Sequence, residues 1–399
     1  MLKNFCDIKN TYDIIIIGCG LSGAVLAERY ANALNKKVLI VEKRDHIGGN
    51  CYDYVDEETG IRVSKYGAHL FHTNNKEIWK YVQKFSEWIL WEHKVLGKIG
   101  NKFVSIPVNI HTVNELFDLQ IQTEEEMKKW LDSVQIKNDN PQNGKEAALN
   151  RVGEELYNLI FKHYTKKQWN KYPEELDPSV LQRIPVRINF NDRYFTDQYQ
   201  ALPKEGYTKM FENMLNHPNI TICLNTDFFK IKDDENFKRN IQYEKIFFTG
   251  PVDLFYAQSR LDKLEYRSIK FVHERIMYCK KAIGSEHFQL NSVVNYPGEN
   301  VSFTRIVEHK HFLNQQSDHT IITREYTTDE GDPYYPVPTK ENQELYSKYK
   351  QIAEQEKNIY FVGRLANYKY LNMDEAVDNA LELFYKLEFS KNKHNLSNV

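Results

Sequence analysis

One stretch near the N-terminus limits the possible folds more than any other. Residues 12–17 are short, apolar and β-branched, which suits a parallel strand covered on both faces. Gly18-Cys19-Gly20-Leu21-Ser22-Gly23 follows, then AVLAERYANALN, which reads as a helix. Residues 37–42 form a second buried strand, and Glu42 closes it 19 residues after Gly23. A glycine triplet alone is weak evidence, but this strand–turn–helix–strand frame is what a dinucleotide fingerprint requires. Gly18 permits the tight turn, Gly20 lets the backbone approach a pyrophosphate, and Gly23 lets the helix pack close to the strand. Ser22 lies in the same turn. The helix amides would face phosphate charge. Glu42 can accept hydrogen bonds from both ribose hydroxyls, which favours an unphosphorylated ribose.

A chain of 399 residues, 41% hydrophobic, is large enough for two or three domains. Its 53 basic and 55 acidic residues leave a formal charge of -2, which gives no support for a nucleic-acid or membrane-surface partner. Cys6, Cys19, Cys51, Cys223 and Cys279 are scattered and form no CxxC pair. That disfavours a disulfide framework or a zinc site and fits a reducing cytoplasm. The first residues lack an apolar signal core, so a cytoplasmic protein without an export signal is expected. The 26 Tyr and 22 Phe fit either core packing or an aromatic cleft for a sugar or nucleobase.

Further along, KEIWKYVQKFSEWILWEHKVLG begins as an amphipathic helix and turns towards strand, and residues 104–112 read as an extended segment ending in a loop. Helical patterns dominate from Val113 to Trp169, with NDNPQNG as a loop and EAALNRVGEELYNLIFKHY as one helix. ITICLN, KIFFTGPVD, SVVNYP, SFTRIV, TIITREY and KNIYFVGR read as strands, and MDEAVDNALELFYKLEF as a helix.

Past Glu42 comes Lys43-Arg44-Asp45-His46-Ile47-Gly48-Gly49-Asn50. This resembles the FAD fingerprint of glutathione-reductase-like flavoproteins, whose Gly-Gly turn lies beside the flavin-side phosphate, so FAD is favoured over NAD. Downstream, Tyr66-Gly67-Ala68-His69-Leu70-Phe71-His72-Thr73 resembles the histidine loop of bacterial UDP-galactopyranose mutases. Residues 103–112, 161–169, 183–187, 192–195, 303–312, 324–326 and 363–371 resemble further segments of that family, in order along the chain. The resemblance implies an α/β fold: a FAD-binding Rossmann-like domain (1–75, 205–260 and 345–390), an inserted helical bundle (110–185) and an antiparallel β-sheet substrate domain (76–109, 186–204 and 261–344), with 391–399 a flexible tail. It also implies an isomerase that interconverts pyranose and furanose forms of a nucleotide sugar, UDP-galactose first, for cell-surface polysaccharide synthesis. In that family reduced FAD attacks the anomeric carbon through N5, UDP leaves, and the ring reopens and recloses on the covalent adduct. An external reductant such as NAD(P)H and a homodimer are implied as partners.

By the same resemblance Arg183, on a segment that moves in the family, and Arg364 hold the diphosphate, with Arg267 and Arg305 near the cleft. Cations are needed where leaving-group charge develops. Tyr164 stacks on the uracil face, and Trp169 stacks near the uracil edge or guards the substrate lid. Tyr194, Tyr326 and Tyr370 bond the phosphates; Tyr326, Tyr370, Arg183, Arg364 and His72 carry the catalytic roles. The expected FAD residues are Gly18, Gly20, Ser22, Gly23, Glu42, Lys43, Gly49, Asn50, His69, Gly363, Arg364 and Met373, whose helix would face the flavin. His69 and His72, without a carboxylate or Cys companion at ligand spacing, give no reason to expect a metal there. Ala68, His93 and Asn372 stand where the family has Pro, Asn and Asp, and 268–290 is longer than its norm. These departures keep UDP-N-acetylgalactosamine or a dTDP-deoxysugar open as substrates, and a hydride-transferring FAD oxidoreductase shares the same nucleotide fold.

Overall fold

The computed structural model describes residues 11–233 and 242–389; Cys6 and the 391–399 tail lie outside these. A five-stranded parallel sheet runs in the order Ile220–Cys223, Val38–Val41, Ile14–Ile17, Lys245–Phe248, Ile359–Phe361. Ile14 sits opposite both Val38 and Lys245, so the first strand is central. One face, Ile14, Ile16, Val38 and Ile40, packs on helices Leu21–Leu34 and Met373–Phe389 through Ala24, Ala27, Val377 and Phe384. The other, Ile15, Ile17, Leu39, Val41, Ile246 and Phe248, packs on Phe228, Phe229 and Phe255. Burial on both faces explains why these strands are continuously apolar. Their carboxyl ends converge on the glycine turn, the expected ligand edge of such a sheet.

A second layer is a seven-stranded sheet in the order Tyr335–Pro336, Tyr266–Ile276, Thr320–Thr328, Arg305–Glu308, Val293–Asn295, Val95–Ile99, Lys102–Ile106. It is antiparallel except where Val293–Asn295 runs parallel to Val95–Ile99. Against the antiparallel sheet packs a helical group from Ile110–Phe117 to Ser179–Gln182, and its core of Val113, Met127, Leu131, Leu156 and Ile160 closes over Val104 and Val307.

Three local readings change. The extended segment at 104–112 ends at Ile106, and a helix starts at Ile110, because Asn109 and Thr112 form a reciprocal capping box. EAALNRVGEELYNLIFKHY is not one helix: Gly153 breaks it at φ 76°, where a Cβ would lie 2.3 Å from the Val134 carbonyl, and Tyr157–Lys162 is a π-helical turn. The 11-residue strand Tyr266–Ile276 has charges on both faces, which hid its period of two.

Candidate active site

The carboxyl ends of the parallel strands open into a cavity of about 810 Å³ that reaches the antiparallel sheet. Of the residues expected to hold the cofactor, Gly18, Gly20, Ser22, Glu42, Lys43, Gly49, Asn50, His69, Gly363, Arg364 and Met373 line it. Gly23 lies behind the turn, where a Cβ would approach the Gly18 carbonyl oxygen to 2.1 Å. Helix Leu21–Leu34 begins at Gly20 with no side-chain cap, leaving its first amides for a ligand. Gly49 (φ 55°) packs so close to Gly20 that a Cβ would meet its Cα at 2.8 Å. The Glu42 carboxylate is held at its strand end by the Cys19 amide at 2.7 Å and the Arg44 amide at 2.8 Å. Across the mouth, Asp332 pairs with Lys43 at 2.6 Å and Arg44 at 3.3 Å. The uncapped helix, the side-chain-free turn and the fixed carboxylate match a dinucleotide's phosphate and ribose, so the residues present fit FAD.

Beyond His69 the bundle, the sheet and the loop after residue 363 bring cations and phenols together. Arg305 and Glu325 are direct cross-strand partners, and Arg305 Nε donates to Glu325 at 2.7 Å. The Arg364 guanidinium donates to the Leu371 carbonyl at 2.5 Å and lies 5.0 Å from the Tyr370 ring and 5.3 Å from Tyr335. Arg183, just past helix Ser179–Gln182, also sits against the Tyr370 ring, at 4.3 Å. Tyr335 stacks on Tyr370 at 5.4 Å and meets Trp169 at 6.2 Å. Burial alone would raise the Tyr370 phenol, yet Arg183, Arg364 and Arg305 outweigh it and hold the group below its ordinary value. Burial pushes the Tyr164 and Tyr194 phenols up, opposed by Arg305 at Tyr164 and by Arg183 and Arg305 at Tyr194. Among the described residues the three guanidiniums face a single carboxylate, Glu325 beside Arg305, so the cluster carries net positive charge, the complement of a diphosphate.

Two expected substrate residues point elsewhere. Tyr326 follows Glu325 on a strand whose side chains alternate, so it lies on the opposite sheet face, edge-on to Phe303 at 5.9 Å. Arg267 is committed to structure: it bonds the Gln168 carbonyl at 3.0 Å and pairs with Asp329. His72 does not line the cavity; its ring stacks on Phe195 at 3.7 Å and its Nδ1 meets Asp197 at 3.0 Å. Conversely, Glu325, Tyr334 and Tyr335 belong to the cluster and were passed over. Pairing REY with SFTRIV in antiparallel register would have put Glu325, not Tyr326, beside Arg305.

Burial keeps three histidines neutral. His69, beside Arg364 and Arg305, titrates down at about 4 although the Gly67 carbonyl opposes the shift. Burial likewise holds His93 and His309 at about 3. An unfolded histidine takes up its proton near pH 6.5, roughly. Between these values the unfolded state binds more protons, so this stability is present above the unfolded pKa and is lost as pH falls. The urea midpoint should therefore drop steadily below about pH 6.5, and His93→Asn should flatten part of that slope. A midpoint as steep in His93→Asn as in the parent would show that His93 is already charged in the native state.

A family model described as UDP-galactopyranose mutase matches residues 159–370, and one described as an NAD(P)-binding Rossmann-like domain matches 16–85. The chain is 38% identical to a dTDP-fucopyranose mutase of Escherichia coli, over 92% of this chain and 96% of the relative. It is 34% identical to a UDP-galactopyranose mutase of Mycoplasma genitalium, over 93% and 94%. Among solved structures, a reduced UDP-galactopyranose mutase superposes with a TM-score of 0.72 at 15% identity, covering 95% of this chain and 94% of the other, a likeness of fold.

Proposed function

Because the chain belongs to the UDP-galactopyranose mutase family, we propose that it converts UDP-galactopyranose to UDP-galactofuranose, supplying a furanose donor for cell-surface polysaccharide. It is an isomerase of the flavin-dependent pyranose–furanose type, and FAD is its cofactor. When bound and reduced, FAD supplies the nucleophile for the anomeric carbon.

The observation that carries the reading is the placement of both Arg183 and Arg364 against the Tyr370 ring, at 4.3 and 5.0 Å from its centre, next to the cofactor cavity. An amine or a polyene substrate would have no use for that clamp. As the anomeric C–O bond breaks, the departing diphosphate gains charge, and the arginines stabilise it more than the intact glycoside. Tyr370, kept acidic by these arginines, donates a strong hydrogen bond to a phosphate oxygen. Tyr164 offers a face for the pyrimidine, and buried Trp169 backs Tyr335. Retaining UDP in this clamp while the sugar opens lets the same diphosphate return once the ring recloses through a different hydroxyl. Neutral His69 keeps an additional positive charge out of the junction between the two ligands.

A dTDP-6-deoxysugar is the second reading, supported by the Escherichia coli relative's name and by Asn372, an amide at the cavity wall where the family has a carboxylate. The test is direct. The flavin-loaded protein, reduced anaerobically, is given UDP-galactopyranose, UDP-N-acetylgalactosamine or dTDP-fucopyranose. Chromatography should show a furanose product with the first substrate and none with oxidised protein. Turnover of dTDP-fucopyranose alone would move the assignment to the second reading. Oxygen consumption with an amine and no furanose from any sugar would move it to an oxidase. A homodimer and an NAD(P)H-type reductant belong to the same proposal.

A further inference from the structure

Helix His163–Trp169 carries Tyr164, the residue given above to the pyrimidine, and ends on Trp169, which backs Tyr335. Three residues on from Tyr164, and so on the same helix face, stands Lys167. Its half-buried side chain turns to the loop between strands Val293–Asn295 and Arg305–Glu308. There the ammonium donates to the carbonyls of Gly298 at 2.9 Å, Phe303 at 3.0 Å and Val301 at 3.3 Å, and to that of Tyr296. Four main-chain acceptors thus share three N–H donors. Among the described residues Lys167 has no carboxylate partner to draw it elsewhere.

Other bonds hold this helix end to different strands. The Lys167 carbonyl accepts from the Thr327 hydroxyl, on Thr320–Thr328, and the Gln168 carbonyl accepts from Arg267 Nε at 3.0 Å, on Tyr266–Ile276. The Lys167 ammonium instead ties the helix to the hairpin that carries Arg305, two residues beyond Phe303. His163 Nδ1 also meets that loop, 3.1 Å from Glu299, but Glu299 is exposed and such a pair contributes little. Arg305 in turn acts on the Tyr164 phenol. The gathered loop therefore joins the two anchors of the ligand, an aromatic platform on the helix and a cation on the strand.

We infer that Lys167 is a positioning residue for the nucleoside diphosphate: by gathering the 296–303 carbonyls it fixes the distance between the pyrimidine platform on its own helix and Arg305 on the adjoining strand. The inference rests on the function proposed above. Lys167 touches neither half of the ligand; it acts through Tyr164 and Arg305. A nucleoside diphosphate spans both anchors, so a loosened tie costs affinity for the whole ligand. Uridine meets the platform alone and is bound as before. Methionine at this position keeps the length of the side chain but has no donor, so the four carbonyls turn to water and the loop relaxes.

The test uses the full-length, FAD-loaded protein. UDP, dTDP and uridine are titrated into parent and Lys167→Met by ligand-detected NMR, with the flavin spectrum recorded on the same samples. The parent should bind UDP or dTDP. Lys167→Met should weaken that nucleoside diphosphate by about tenfold, leave uridine unchanged, and raise KM for the nucleotide sugar more than it lowers kcat. Lys167→Arg keeps the charge, but a planar guanidinium cannot gather the same carbonyls. It should show the same selective loss, and it takes the place of Lys167→Met if the methionine variant loses its flavin. An unchanged nucleoside diphosphate affinity, or an equal loss for uridine, overturns the inference and leaves the mutase reading standing. A parent protein that binds neither UDP nor dTDP overturns both.

Discussion

Arg364→Ala should cut turnover by about 10²- to 10³-fold while the protein stays yellow. Removing one preorganised donor from a site of developing charge has an effect of that order. Arg364 is suited to act this way because its position is fixed twice. The turn at Gly363 has φ 95° and its amide bonds both Asn367 and Asn379. The guanidinium is then tied to the Leu371 carbonyl and flanked by three tyrosine rings. The cofactor keeps its other anchors, the glycine turn and Glu42, so flavin content should change little. The decisive measurement is single-turnover furanose formation by reduced, flavin-saturated enzyme, with Arg364→Lys beside it. Lysine keeps the charge but not the planar fork, and recovers part of the rate. Parent-like turnover in Arg364→Ala would remove the diphosphate clamp from the mechanism.

The second large effect is on the cofactor. Gly23→Ala should yield colourless protein of reduced stability. The added methyl would sit 2.1 Å from the Gly18 carbonyl oxygen and 3.1 Å from Ile16 Cγ2. Backbone on one side and a core strand on the other leave no flexible atom to yield. The helix must move off the strand at a cost of about 3 kcal/mol, the upper end of overpacking. Moving the helix displaces its uncapped amides from the phosphate site. Flavin-to-protein ratio and urea midpoint, measured on the same sample, report both consequences. A normally yellow Gly23→Ala protein would mean that the turn tolerates a side chain and that the cradle is looser than drawn.

The dinucleotide half of the molecule could be read from residues 12–42 because every local requirement there coincides. Glycine is needed at Gly18, Gly20 and Gly23 for three different steric reasons, and the strands are apolar because both faces are covered. The substrate half was harder for a physical reason. Its residues come from strands, bundle and loops that are distant in sequence, and only pairing decides which side chains face inward. Arg305, Arg364, Tyr370 and Tyr164 could be placed through family resemblance, whereas Tyr326 and Arg267 could not be told from Glu325 and Tyr335 without the register. Charges on both faces of the Tyr266–Ile276 strand erased the alternation that would have supplied it.

The bend at Gly363 has a last implication. A Cβ there would touch the Ser22 hydroxyl at 2.8 Å, so this residue abuts the cofactor's phosphate turn, and its covalent neighbour Arg364 is, on the function proposed above, the one that meets the sugar nucleotide. A single peptide bond therefore sets the spacing between the reagent and its target. Any drift that repositioned one would drag the other along, which leaves this wall little room to evolve. Acceptance of a new sugar must come from positions that do not line the cofactor cavity, such as the chain around Arg183.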